Sequence, residues 1–274
     1  MHNETLHNKK FTALILAASR KGPTDAVAQI QHKSHKCLVA LNGVAMIERV
    51  IREVINTKSI NRVYVSIDEP EILQQIPAVA KWIDNNTISI VTSKNNLAAS
   101  VVAAADSITD PFPLIITAGD NALHTPDLLD FFCKKISEET CDTYIAMTPA
   151  EEILNKYPDG ARAFHHFKDG AYSSCNLYAV ATAKGLRGAK PFATGGQFGK
   201  KPYRIALGFG IISLILYKLR LLSLRGVARQ ISKAIKAKTK IILIPWADGP
   251  IDVDNTRDYE LVSKILSERE NTKK

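Results

Sequence analysis

Cysteine is scarce in this chain: Cys37, Cys133, Cys141 and Cys175 are the only four in 274 residues. None forms a C-x-x-C pair and no histidine cluster stands at zinc-ligand spacing, which excludes a zinc ribbon or finger. In a chain this long the thiols are expected to be reduced, and a cytoplasmic home follows. Long apolar runs are missing as well. The most apolar stretch, Ile205–Tyr217, is about 13 residues long, whereas a membrane span needs about 20. Lys9-Lys10 before Phe11–Ala18 has the order of a signal peptide, but the run is short for one and a basic loop follows directly. Aromatic residues make up 7% and do not interleave with basic ones, so no nucleic-acid platform is expected. There is no P-loop either. Gly195-Gly196-Gln197-Phe198-Gly199-Lys200 is one residue too short, and no hydroxyl residue follows its lysine.

What is present is ordinary globular composition, 46% hydrophobic and 23% charged, with a net charge of +9. That excess suits nucleotides, phosphorylated substrates or anionic headgroups, and equally a plain basic surface. Phe11–Ala18 is a continuous apolar run, read as a buried central strand. It ends in Ala17-Ala18-Ser19-Arg20-Lys21-Gly22. Small residues there let backbone amides approach a ligand, and open α/β sheets bind at the carboxyl ends of their strands. The loop therefore suits an anion, foremost a polyphosphate. Lys36 follows, then Leu38–Leu41, the turn signal Asn42-Gly43 and a helical period over Ala45–Ile55.

Strands at Arg62–Ile67, Thr87–Val91, Leu114–Thr117 and Thr143–Met147 alternate with helices at 72–83, Ala98–Ile108 and Pro126–Ile136. That order predicts a mostly parallel right-handed α/β sheet. Two strand-end loops carry candidate chemistry. In Thr92–Ser100, Ser100-Val101 is expected to open a helix whose free amides could meet a ligand; a plain capped loop fits as well. In Thr117–Leu123, Asp120 follows a buried strand and Gly119. It is either a Mg²⁺ ligand bridging substrate phosphates or a turn cap. Near the end, Ile251-Asp252-Val253-Asp254 puts two carboxylates on one side of an extended segment, able to complete a metal site with Asp120.

The run L-A-A-S-R-x-G, then H-K-C-L-V-A-L-N-G-V-A-M-I-E-R-V, resembles the opening of the MobA-like nucleotidyltransferases, a group related to sugar-phosphate nucleotidyltransferases. Ala-Ser stands in place of the family's paired glycines. Gly119-Asp120 with Leu123 matches its Gly-Asp-x-Pro-Leu motif, and Asp252–Asp258 its closing Asp-x-Asp/Asn-Thr-x-x-Asp-Leu. The resemblance implies a three-layer α/β/α sandwich of the nucleotide-diphospho-sugar transferase type. It implies transfer of an NMP from an NTP to a phosphorylated acceptor, with release of pyrophosphate and Mg²⁺ as cofactor. Arg20 and Lys36 would be catalytic, and Lys21 could join Arg20 on the β- and γ-phosphates. Ala17, Ala18, Ser19, Gly22, Asn95 and Ser100 would bind the nucleotide, with Asn96 a further candidate. Asp120, Asp254 and Asp252 would hold the metal, Asp254 foremost of the last pair. Asn176, Lys200 and Lys201 would meet the acceptor. Asp258 reads as a first-turn helix acid. A glycosyltransferase on a related sheet and a non-catalytic nucleotide-binding protein are the alternatives.

One domain is expected over 11–266, with tails at 1–10 and 267–274 and an acceptor-side insert over about 150–237. Within it, Asp159–Tyr178 has short β-like runs between Asp-Gly turns. His165 and His166, as neighbours on a strand, face opposite ways and cannot share a ligand. Lys184–Gly199 reads as a mobile flap. Lys200, Lys201 and Arg204 suit an acceptor phosphate or plain solvation. Ile205–Tyr217 is expected to be a buried or interfacial helix. After it Ser223 caps a helix with Leu224, Val227, Ala228, Ile231 and Ile235 on one face and basic residues elsewhere. Such a pair allows peripheral membrane contact, or forms a helical cover over the acceptor site.

Overall fold

The structure is a computed structural model, and residues 10–19, 21–158, 163–195, 198, 201 and 203–272 are described. Arg20, Lys200 and most of the Gly195–Lys200 run lie outside them, as do 1–9 and 159–162.

The expected alternation builds the chain. β1 (Phe11–Leu16) leads through α1 (Ala26–Gln29) to a small hairpin, β2 (Ala40–Leu41) and β3 (Val44–Ala45), then α2 (Met46–Ile55). Asn42 and Gly43 both have positive φ, 50° and 80°, the backbone a two-residue hairpin needs. β4 (Ile60–Ile67), α3 (Pro77–Asp84), β5 (Ser89–Thr92), α4 (Leu97–Ser107), β6 (Leu114–Ala118), α5 (Pro126–Ser137), β7 (Thr143–Pro149) and α6 (Ala150–Lys156) follow. β8 (His165–Phe167) and β9 (Gly170–Val180) form a second hairpin. Then come α7 (Tyr203–Phe209), α8 (Ile211–Lys218), α9 (Leu224–Ile235), β10 (Thr239–Leu243) and α10 (Thr256–Thr272).

The main sheet runs β10-β7-β9-β6-β1-β4-β5, with β8 on β9. Only the β8–β9 hairpin breaks the parallel pattern: β9 runs antiparallel to β6, β7 and β8. Side chains alternate across the sheet as the strand period demands. Ala13 and Ile15 pack with α2, α3 and α5 on one face. Leu14, Leu114 and Ile116 pack with α4 on the other, where the α7–α9 insert also lies against Met147 and Ile241. The three layers match the expected sandwich. Apart from them, Val27, Val39, Leu41, Ile251, Val253 and Val262 form a separate apolar cluster under the carboxyl edge.

Several expectations change. Lys184–Gly199 is not a flap over its first half: Ala183–Phe192 is a 3-10 helix capped by the Thr182 side chain. Its glycine reads as loop, but a Cβ on Gly185 would collide with the Asp142 carbonyl, so glycine is there for close packing. The apolar run near 205–217, expected as one buried or interfacial helix, is two helices. It breaks at Gly210, φ 88°, and Leu207, Ile211, Ile212 and Ile215 are exposed. The last helix runs past Leu266 to Thr272, because Arg269 donates to the Leu123 carbonyl and pairs with Asp248. No helix among the described residues is long and apolar enough to cross a membrane.

Candidate active site

The carboxyl ends of β1, β4, β6 and β10 point to one edge of the sheet, and the chemistry gathers there. Ile251 and Val253 are buried in the apolar cluster, so Asp252 and Asp254, alternating with them, turn the other way. Ala122 and Leu123 sit in the same cluster and fix the loop that carries Asp120. The Val253 amide donates to the Asp120 carbonyl at 3.3 Å, tying the two acidic loops together. Lys36 opens a 3-10 turn directly before Cys37 and Leu38, both buried. Gln31 braces the following strand: it donates to the Ala40 carbonyl and accepts from the Ala40 amide, each at 2.8 Å.

These loops bring Lys36 to 2.5 Å from Asp120 Oδ2 and 3.1 Å from Asp254 Oδ1. Carboxylate oxygens of Asp120, Asp252 and Asp254 lie within 4.8 Å of one another. Burial works against the Lys36 charge, but Asp120, Asp254 and Asp252 outweigh it and hold the ammonium pKa above the ordinary lysine value. Lys36 is therefore a fixed cation throughout the working pH range. Three carboxylates are the hard oxygen donors that a divalent cation takes. Asp120 Oδ1 is buried without a hydrogen-bond partner, an oxygen that such an ion would satisfy. The residues present fit a hard cation.

Asn176 joins this group. Between Ile145 and Met147 β7 advances two residues while β9 advances four, from Ser174 to Tyr178. The bulge puts Asn176 at φ 49° and aims its amide at Asp252 Oδ2, 2.8 Å away. The resemblance sets Asn176 against the acceptor; in the structure its amide bonds the Asp252 carboxylate.

Ala17 continues β1, its amide bonded to the Ser66 carbonyl at 2.8 Å, and Ala18 beyond it is exposed. Ser19 Oγ accepts from the Gly22 amide at 3.0 Å, and Gly22 has φ 50°. Gly119 presses on this loop: a Cβ there would lie 3.2 Å from Ala17 Cβ and from Ile47 Cδ1. On the other side, α4 opens at Leu97 rather than Ser100. Asn96 is its cap, accepting from the Ala99 amide at 2.9 Å. Ser100 is buried, accepting from the Lys94 amide at 2.8 Å. Its hydroxyl shapes the loop, while Asn95 stands exposed. Lys201 is exposed at the start of the insert. His165 bonds Tyr217 at 3.1 Å and His166 is exposed, so neither meets the acidic cluster.

Sequence reasoning missed three residues. Asp68, at the end of β4, accepts from the Ser19 amide at 3.2 Å and lies 3.6 Å from His35 Nε2. His124 is buried between the acidic loops. Its Nε2 donates to the Gly249 carbonyl at 2.8 Å, and Thr117 Oγ1 lies 3.3 Å from Nδ1. Burial holds its pKa below the usual histidine value, so a neutral ring pins the loops. Asp248 pairs with Lys156 at 3.0 Å and Arg269 at 2.7 Å and accepts from Tyr157. The position of Asp68 directly after a strand was the one available signal.

The family model for the MobA-like NTP transferase domain matches residues 13–196. The chain belongs to that family. Solved structures agree on the fold. A hypothetical transferase from Thermus thermophilus aligns with a TM-score of 0.72 at 18% identity, over 91% of this chain and 99% of its own. A CMP:2-keto-3-deoxy-manno-octonic acid synthetase complexed with CTP aligns at 0.57 and 12% identity, over 95% and 99%. The 4-diphosphocytidyl-2C-methyl-D-erythritol synthase from Anaerococcus prevotii also aligns at 0.57 and 12%, over 96% and 98%. No curated protein sequence matches the chain significantly.

Proposed function

We propose that the chain is a Mg²⁺-dependent nucleotidyltransferase that moves an NMP from an NTP to a phosphorylated acceptor and releases pyrophosphate. The observation that carries this reading is the pairing of Lys36 with Asp120 and Asp254, with Asp252 grouped with these carboxylates, on a loop whose Gly119 packs against Ala17. An acceptor phosphate is already ionised near neutrality, so the reaction needs no strong general base. Its oxygen bonds to the α-phosphorus of the NTP as the bond to pyrophosphate breaks. The protein's work is to bring two anions together in line and to offset the charge that develops.

The chain's residues divide that work. The loop from Ala17 to Gly22 receives the triphosphate, with Arg20 and Lys21 as its cationic side chains. Lys36 offsets charge at the α-phosphorus. Asp120, Asp252 and Asp254 would hold Mg²⁺, which when bound neutralises substrate phosphates. Asn176 keeps Asp252 turned toward its partners. Asn95 and the Asn96-capped start of α4 would meet the nucleoside.

Pyrophosphate release across ATP, CTP, GTP and UTP, with a panel of phosphate monoesters, tests the reading. One nucleotide is expected to react, and Asp120→Asn and Lys36→Ala are each expected to lose roughly 10²–10³-fold. Glycosyl transfer from a nucleotide sugar, unchanged in Lys36→Ala, would replace the reading with the glycosyltransferase one.

A further inference from the structure

Between the insert and the sheet lies a cavity of about 220 Å³. Ile116, Ile145 and Ile241 line its floor, and Phe209, Val227 and Ile231 its roof. Four polar side chains of the wall, His165, Ser174, Thr143 and Ser213, are bonded within the protein. His165 Nδ1 meets the Tyr217 hydroxyl at 3.1 Å, Ser174 the Tyr178 hydroxyl at 3.3 Å and Thr143 the Thr239 hydroxyl at 2.8 Å, while Ser213 donates to the Phe209 carbonyl at 2.8 Å. What remains for an occupant is hydrocarbon surface. A cavity of roughly 150 Å³ with an apolar lining takes a benzene ring and excludes water; this one is larger.

The cavity wall includes close sequence neighbours of candidate site residues. Leu16 directly precedes Ala17, Leu97 directly follows Asn96, and Ser174 is two residues from Asn176 on β9. An independent observation concerns the insert's outer face. Of the ten large apolar residues exposed among those described, Tyr203, Leu207, Ile211, Ile212, Ile215, Leu219 and Leu221 lie within 203–221, with Leu207 and Ile212 both 68% exposed. Lys218, Arg220, Arg225, Arg229 and Lys233 are exposed along the same insert. An apolar face with a cationic surround is the chemistry of an anionic bilayer surface.

We propose that the acceptor is a lipid phosphate taken from an anionic membrane, with its phosphate at the Lys36 site and its hydrocarbon chain in the cavity. α7 and α8 seat in the headgroup region while the chain transfers. The step balances as written above: the lipid phosphate oxygen gains the NMP and pyrophosphate leaves. The substrate assignment rests on the nucleotidyltransferase reading; the cavity's taste for hydrocarbon does not.

The test separates the two. Binding of cis-parinaric acid is followed by fluorescence, with dodecyl phosphate and glycerol 3-phosphate as competitors. Wild type is expected to bind the probe and to release it to dodecyl phosphate only. Val227→Trp and Ile231→Trp, which fill the cavity from α9, are expected to bind at least tenfold more weakly with an unchanged NTP-induced thermal shift. Two variants guard against one failing to fold. Sedimentation with phosphatidylglycerol-containing vesicles is expected for wild type and lost in Ile211→Glu/Ile215→Glu. Finally, pyrophosphate release is expected to be at least tenfold faster with dodecyl phosphate than with glycerol 3-phosphate. Equal competition by both phosphates, undiminished probe binding in both tryptophan variants, or equal turnover of the two acceptors would overturn the proposal. The last result would leave nucleotidyl transfer standing. Chain binding without pyrophosphate release from any NTP would sink the transferase reading and the substrate assignment with it, leaving only the chain site.

Discussion

Replacing Lys36 by methionine keeps the stem and removes the charge between Asp120 and Asp254. The side chains of Lys36, Asp120 and Asp254 are 18%, 22% and 31% exposed, so the cluster is mostly but not fully shielded. At an effective dielectric near 20, one such pair attracts by about 4 kcal/mol before desolvation is subtracted. Removing one partner of a buried pair costs about 3–5 kcal/mol. The partial exposure here scales that to about 2–3 kcal/mol. At roughly 2–4 °C per kcal/mol for a domain near this size, the metal-free variant should melt about 4–12 °C below wild type. The same substitution leaves three carboxylates without their internal cation. Mg²⁺ should therefore raise the melting temperature of Lys36→Met by more than it raises that of wild type, even as pyrophosphate release is lost. Differential scanning calorimetry with and without Mg²⁺ reads both effects. An unchanged melting temperature, or a smaller Mg²⁺ effect in the variant, would refute the picture of lysine and metal sharing one acidic site.

Three further outcomes are expected. Gly119→Val should cost about 1–3 kcal/mol in urea unfolding, since its Cβ alone already crowds Ala17 and Ile47 at 3.2 Å, within the usual range for overpacking; a neutral result would show that the loop gives way freely. Burial, then the neighbouring His166, lowers the His165 pKa to about 4. The unfolded chain takes up that proton below about 6.5 and the folded chain does not. Stability should thus fall as pH drops from about 6.5 to about 4, by up to about 1.4 kcal/mol per pH unit. The difference between wild type and His165→Phe across that range isolates the slope, and parallel curves would contradict it. Asp248→Asn should cost about 2 kcal/mol by leaving Arg269 and Lys156 without their carboxylate, with NTP binding retained; loss of binding at full stability would give Asp248 a direct role instead.

Much of the sheet and of the acidic site was readable from local pattern. Phe11–Leu16 is apolar at every position but Thr12 because both faces of β1 are covered. Ile251-Asp252-Val253-Asp254 alternates because one side packs in the core and the other meets Asp120. Such signals need only a few neighbouring residues. Features made by distant partners were not readable. Asn176 was flagged by context, but its turn toward Asp252 comes from a bulge against β7. Ser100 looked like a helix opening, yet Asn96 takes the cap and buries that hydroxyl. The pinning role of His124 depends on Gly249, far along the chain. The insert's apolar run fits a buried or an interfacial helix, and only the break at Gly210 and the packing of α9 show which side is covered.

The cluster's role in nucleotide binding is tested most directly by thermal shift with Mg²⁺ and each of the four NTPs, on wild type and Asp120→Ala. A ligand held by the native state raises its stability by mass action. One nucleotide should give a clear shift in wild type and little or none in Asp120→Ala. Equal shifts in both proteins, or none with any NTP, would contradict a nucleotidyl-transfer centre built on Lys36, Asp120, Asp252 and Asp254.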